Sequence, residues 1–106
     1  MESRKYCRQG EIYSRRDIES AAERILRNNG IKGEKKIEAF ISAYRCFIRD
    51  ITHNDSYSKK DLGRICQMMK KKYMGHKDMN VKAGGWLFLS EIERALGINL
   101  SYDFPE

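Results

Sequence analysis

Seven of the 21 lysine and arginine residues in this 106-residue chain lie in one stretch, Ser58 to Lys77, which contains one acidic residue, Asp61. The stretch therefore carries the whole net charge of +6, and the rest of the chain is balanced. Cationic side chains at this density suit a polyanion, because they displace the counterions condensed on its phosphates. The candidate nucleic-acid-binding residues are Lys59, Lys60, Arg64, Gln67, Lys70, Lys71, Lys72 and Lys77.

A helix over residues 58–74 would divide this stretch into two sides. At 3.6 residues per turn, the basic side carries Lys60, Arg64, Gln67 and Lys71, and the opposite side is apolar, with Leu62, Ile65, Cys66, Met69 and Tyr73. The apolar side can pack, so the basic side must face outward. The pattern predicts a nucleic-acid-binding module with DNA as the favoured polymer. Because lysine outnumbers arginine, we expect phosphate-backbone contact rather than base reading.

Two other interpretations of the basic side stay open. It can be a solvated face that keeps a small protein in solution, since charged residues make up about a third of an ordinary surface. It can also dock on an acidic surface of a nucleic-acid-processing protein, as in small accessory or viral-type modulators. In that case Met68 and Trp86 are the candidate partner contacts. For Trp86, core packing is favoured over stacking on a base.

No pattern in the chain indicates catalysis, a metal or a cofactor. Its three cysteines, Cys7, Cys46 and Cys66, form no C-x-x-C pair, and neither His53 nor His76 has a partner at metal-ligand spacing. We therefore predict no enzyme activity, reduced thiols and a cytoplasmic location. The longest apolar run, residues 86–89, is far too short to span a membrane.

Two helix starts share one pattern. Residues 13–18 (YSRRDI) and 57–62 (YSKKDL) each place a tyrosine before a serine that can cap a helix, an aspartate in the first turn, and then an aliphatic residue. The spacing of 44 residues allows an internal repeat, but we favour convergence on a common capping solution. Both segments predict a helix that begins after the serine, and the first is expected to end at residues 28–30 (NNG).

The chain as a whole is predicted to form a single all-α domain of about four helices over residues 1–106. Its first 12 residues are predicted as a lead-in segment to the first helix. A central helix is predicted by apolar residues at Ile37, Phe40, Ile41, Tyr44, Phe47, Ile48 and Ile51. On its far side, the small residues Ala39, Ala43 and Cys46 would admit a close neighbour. Residues 75–85 are predicted as a loop and 90–97 as a short helix. Residues 98–104, near the C-terminus, are predicted as either a short β element or an extended segment that docks on the helices.

Overall fold

The computed structural model describes residues 12–98. They form four helices, α1 (Arg15–Asn28), α2 (Glu34–Asp50), α3 (Lys59–Met74) and α4 (Met79–Ala95), and two strands, β1 (Ile12–Ser14) and β2 (Ser56–Ser58). A 3-10 turn, Ile51–His53, follows α2. The predicted all-α class and the positions of the first three helices are therefore confirmed.

The two copies of the shared helix start pair with each other. β1 and β2 run antiparallel, with Tyr13 opposite Tyr57, and each strand leads directly into a helix. The hydroxyl of Ser14 accepts a hydrogen bond from the Asp17 backbone N–H at 3.1 Å, and Ser58 does the same for Asp61 at 3.1 Å. Both predicted caps are confirmed, whereas the pairing of the strands was not predicted.

The predicted loop at residues 75–85 is wrong from Met79 onward, which is seven of its eleven residues. α4 begins at Met79 and runs unbroken to Ala95, so the connection from α3 comprises only residues 75–78, and the short helix predicted at 90–97 is the end of α4. The predicted central helix, α2, shares that position with α4, because each of the two packs against all three other helices and most extensively against the other.

Gly84 and Gly85 explain the wrong prediction, because here glycine serves close packing rather than a turn. A methyl group at Gly84 would collide with the carbonyl oxygen of Lys36 and lie 2.9 Å from Cβ of Ala39, and one at Gly85 would overlap the ring of Tyr73. α4 thus crosses α2 and α3 at adjacent glycines. Its approach to α2 uses part of the small-residue stripe that the sequence predicted for a neighbour.

The core lies between α2 and α4 and is organised around Phe88. Its ring meets those of Phe40, Tyr44 and Phe47 edge-on, with centroids 5.5, 6.0 and 5.8 Å away. Edge-to-face pairs at these distances add to the stabilisation from apolar burial. The core fixes α4, and α4 in turn positions α3.

Two further predictions fall largely outside the described residues. Of the lead-in segment at 1–12, only Ile12 is described, and it is the first residue of β1. Of the predicted element at 98–104, only Ile98 is described. No helix within residues 12–98 has the length and hydrophobicity needed to cross a membrane.

Candidate nucleic-acid interface

α3 presents one side to the protein and leaves the other open. Its inward side buries Leu62, Cys66, Met69 and Tyr73, and the helix packs mainly on α4. Gly63 is buried as well, so its backbone is not open to a ligand. Since the inward contacts fix the rotation of α3, the opposite side must face solvent.

Five exposed cations make up what we call the basic face. They are Lys60, Arg64, Lys71 and Lys72 on α3 and Lys77 in the turn that follows it. At 1.5 Å per residue, Lys60 and Lys71 lie about 16 Å apart along the helix axis. Lys71 and Lys72 occupy the last turn, where cations also complement the helix macrodipole.

The basic face is little compensated by carboxylates. Within residues 12–98, Arg64 has one acidic neighbour, Asp61, at 4.0 Å, and both side chains are more than half exposed. An exposed pair at that distance contributes little. No carboxylate of the described residues pairs with Lys60, Lys71, Lys72 or Lys77. Their charges are therefore available to a ligand.

Three of the predicted contacts are placed less favourably. Lys59 and Gln67 are half-buried. Lys70 points toward α4, where its ammonium lies 2.8 Å from Oε1 of Glu93 and 4.7 Å from the centroid of the Trp86 ring. The side chains of Lys70 and Glu93 are only 18% and 11% exposed. This lysine is thus committed to an internal ion pair rather than to the basic face.

The position of Glu93 in the sequence is itself a signal for this ion pair. Glu93 falls on the same side of α4 as Leu89, Ile92 and Leu96, all of them buried. An acid within an apolar stripe implies a basic partner inside the protein, because an unpaired buried charge is costly. Lys70, at the edge of the apolar side of α3, is that partner.

Cys66 lies near this ion pair, and its burial keeps the thiol protonated. Burial raises the pKa of its thiol to about 12, and the Glu93 carboxylate adds to the effect, while Lys70 opposes it. Because the thiolate is the reactive form of cysteine, Cys66 is a core residue and not a nucleophile.

Exposed methionines flank the basic face. Met68 and Met74 on α3 are 70% and 54% exposed, and Met79 at the start of α4 is 71% exposed. Met68 is accessible, as its predicted role in partner binding requires. Trp86 is half-buried, with Lys70 over its ring. It is therefore neither fully packed in the core nor freely exposed for stacking on a base, the two possibilities that the sequence allowed.

The segment that joins α2 and α3 has the spacing of a calcium-binding helix–loop–helix but not its chemistry. Asp50, Thr52, Asn54 and Asp61 occupy positions 1, 3, 5 and 12 of that pattern, but Asp55 stands at position 6, where the sharp turn calls for glycine. The guanidinium of Arg15 donates to the Thr52 carbonyl at 3.3 Å and lies 3.7 Å from Oδ1 of Asp55. Within residues 12–98, no three His, Cys, Asp or Glu side chains are grouped as a metal site would need.

A shallow groove of about 340 Å³ lies away from α3, between the end of α1 and the middle of α4. Ile25, Ile31, Phe40 and Leu87 supply its apolar lining, and Arg24 and Glu91 its charges. Glu91 is paired with Arg94 at 3.3 Å. Opposite charges at the rim select no single class of ligand.

No protein-family model, curated protein or solved structure matches the chain. The basic face is therefore the feature of the molecule from which a function can be inferred.

Proposed function

We propose that this protein binds nucleic acid through the basic face of α3, by contact with the phosphate backbone. The observation that carries the proposal is the set of five exposed cations, of which only Arg64 is paired with a carboxylate, that of Asp61, among the described residues. Displacement of condensed counterions by these cations would supply most of the affinity. The role proposed is binding rather than catalysis.

The number of available cations sets the expected salt dependence. Five phosphate contacts on duplex DNA give a slope of about −4.5 for log K against log salt concentration, and four give about −3.6. With Lys70 held by Glu93, a steeper slope would need cations beyond the basic face. The slope is therefore a measure of how many of the five cations take part.

Backbone contact is favoured over base reading by the residue types on the face. Arg64 is its one arginine, and the fork of guanidinium donors suits bidentate recognition of guanine. Gln67, the other residue type that reads base edges, is half-buried. The remaining cations are lysines, which act as point charges.

Met68, Met74 and Met79 favour a second candidate function, docking on an acidic protein surface. Flexible thioether side chains adapt to apolar pockets and are frequent at binding surfaces. A protein partner with apolar anchors among its acids would contact the methionines and the lysines together. That binding would depend on Met68, whereas phosphate contact would not.

The test is fluorescence anisotropy with labelled random-sequence DNA across a salt series, for three forms of the protein. The first is the wild type, and the second is Lys60→Gln/Arg64→Gln/Lys71→Gln. The third, Arg16→Gln/Arg24→Gln/Arg27→Gln, is a control that loses the same charge from three exposed arginines of α1. Thermal unfolding establishes that all three are folded.

We expect the α3 variant to lose on the order of 100-fold in affinity at 0.1 M salt, because each lost contact removes about one counterion release. The α1 control should stay within a few-fold of the wild type. Equal losses in the two variants would show that overall charge, not the basic face, causes binding. Absence of binding at low salt would refute the proposal. Acidic-peptide titrations of the wild type and Met68→Gln would then test the second candidate.

A further inference from the structure

We infer that the polyanion bound by the basic face is a double helix rather than a single strand. This inference rests on the proposed nucleic-acid binding and adds the form of the ligand. It follows from what surrounds the cations as much as from the cations themselves.

The first observation is that, among residues 12–98, no exposed aromatic ring lies beside the basic face. Proteins that hold single strands combine cations with aromatic rings on which bases stack, at about 1–3 kcal/mol per base. Every aromatic residue within 12–98 is buried or half-buried. On α3, Tyr73 faces inward. The exposed apolar side chains beside the cations are Met68, Met74 and Met79, none of which offers a ring.

Trp86 is the aromatic residue best placed to stack on a base, but one side of its ring is already covered by Lys70. The ammonium of Lys70 lies 4.7 Å from the centroid of its ring, and Glu93 holds that ammonium at 2.8 Å. A base could stack on that side of the ring only by displacing Lys70, which would leave the buried Glu93 carboxylate unpaired. That displacement is unfavourable.

The second observation is that the cations are held on a rigid element. α3 is capped by Ser58 at its start, and its inward side is fixed by buried contacts with α4. A fixed row of about 16 Å matches a ligand whose phosphates are also fixed. A single strand would have to become ordered along the row without stacking energy in return, so it would bind more weakly.

Counterion release favours the duplex as well. Each neutralised phosphate contributes about 0.9 to the slope on duplex DNA but about 0.7 on a single strand. For five contacts the expected slopes are about −4.5 and −3.5. The difference can be measured.

The experiment compares a 25-base-pair duplex with a single strand of the same length that has no self-complementarity, by anisotropy competition at several salt concentrations. The fluorescence of Trp86, the one tryptophan of the chain, is recorded in the same titrations. We expect the duplex to bind at least about ten-fold more tightly at 0.1 M salt, with the steeper slope. The emission of Trp86 should change little with either ligand.

Each outcome separates the two proposals. Equal or tighter single-strand binding that is lost in Lys60→Gln/Arg64→Gln/Lys71→Gln would overturn the inference and leave the proposed function standing. Quenching of Trp86 by the single strand would also overturn it, since it would show a base stacked on the ring. Absence of binding to both ligands at low salt would refute the proposed function itself.

Discussion

The ammonium of Lys70 on α3 and the carboxylate of Glu93 on α4 form an ion pair at 2.8 Å, across 23 positions of sequence. The second oxygen of Glu93, Oε2, is buried and has no hydrogen-bond partner among residues 12–98. The pair holds α3 on α4 and removes one lysine from the basic face. It therefore bears both on stability and on the number of cations left for a ligand.

Removal of Lys70 alone should be destabilising. Lys70→Met leaves Glu93 buried without its charge partner, and we expect a loss of about 2–3 kcal/mol, below the range for fully buried pairs because some exposure remains. Lys71→Met, the same substitution at the next and exposed position, should change stability by less than about 0.5 kcal/mol. Urea unfolding gives both values. Equal stability of the two variants would show that the ion pair is not formed.

Removal of both partners should restore much of that loss. In Lys70→Met/Glu93→Met no buried charge remains, and apolar replacements of buried ion pairs are often neutral or stabilising. The double variant is expected to unfold at a higher urea concentration than Lys70→Met. If the effects of the two single substitutions instead add, the two side chains do not interact.

Alanine at the helix crossings should be destabilising despite its higher helix propensity. At Gly84 the added methyl group meets the carbonyl oxygen of Lys36, and at Gly85 it meets the ring of Tyr73. Overpacking costs about 1–3 kcal/mol, against a propensity gain of about 1 kcal/mol. Gly30→Ala is the control, because no atom of the described residues lies within 4 Å of its Cβ position. Thermal unfolding should rank Gly30→Ala above both, and a stabilised Gly85→Ala would contradict the packing described.

The hydroxyl of Tyr13 should contribute measurably to stability. It donates a hydrogen bond to the Leu96 carbonyl, which ties β1 to the end of α4 across 83 positions. Tyr13→Phe removes this bond and should cost about 1 kcal/mol. Tyr44→Phe removes a hydroxyl for which the structure shows no hydrogen bond within residues 12–98, and should cost less than about 0.5 kcal/mol. Chemical denaturation of both variants measures the difference, and a Tyr13→Phe protein as stable as Tyr44→Phe would count against the tie.

Cys66 should make the protein less stable at high pH. Its pKa is about 12 in the folded protein against an ordinary value of 9.0, so above pH 9 the unfolded chain loses a proton that the folded chain keeps. The free energy of unfolding should then fall with pH by up to about 1.4 kcal/mol per pH unit from this group. In Cys66→Ala, the free energy of unfolding should fall less steeply with pH, by up to about 1.4 kcal/mol per pH unit. Because this variant should already be less stable at neutral pH, each protein is compared with its own value at that pH. Parallel pH profiles from 9 to 11 would show that the thiol is not shielded.

The helices could be predicted wherever their signals are local. The caps at Ser14 and Ser58 act within one turn, and the apolar periodicity of α2 and α3 acts over a few turns, so both are legible in the sequence. Gly84 and Gly85 misled the prediction because a glycine pair has the same local signature in a loop and at a helix crossing. The partners that decide between these, Lys36 and Tyr73, lie 48 and 12 positions away.

For the candidate site, the sequence by itself determined that the excess charge is concentrated in residues 58–77 and that one side of α3 must be basic, since composition and helical period suffice for both. Only the tertiary structure decided which cations are available. It turned Lys70 toward Glu93, left Trp86 half-buried against Lys70 and left Met68 exposed. The physical reason is that net charge and helical period are properties of a single segment. The environment of a side chain at the edge of a helix is instead set by the element that packs there, and for α3 that element is α4.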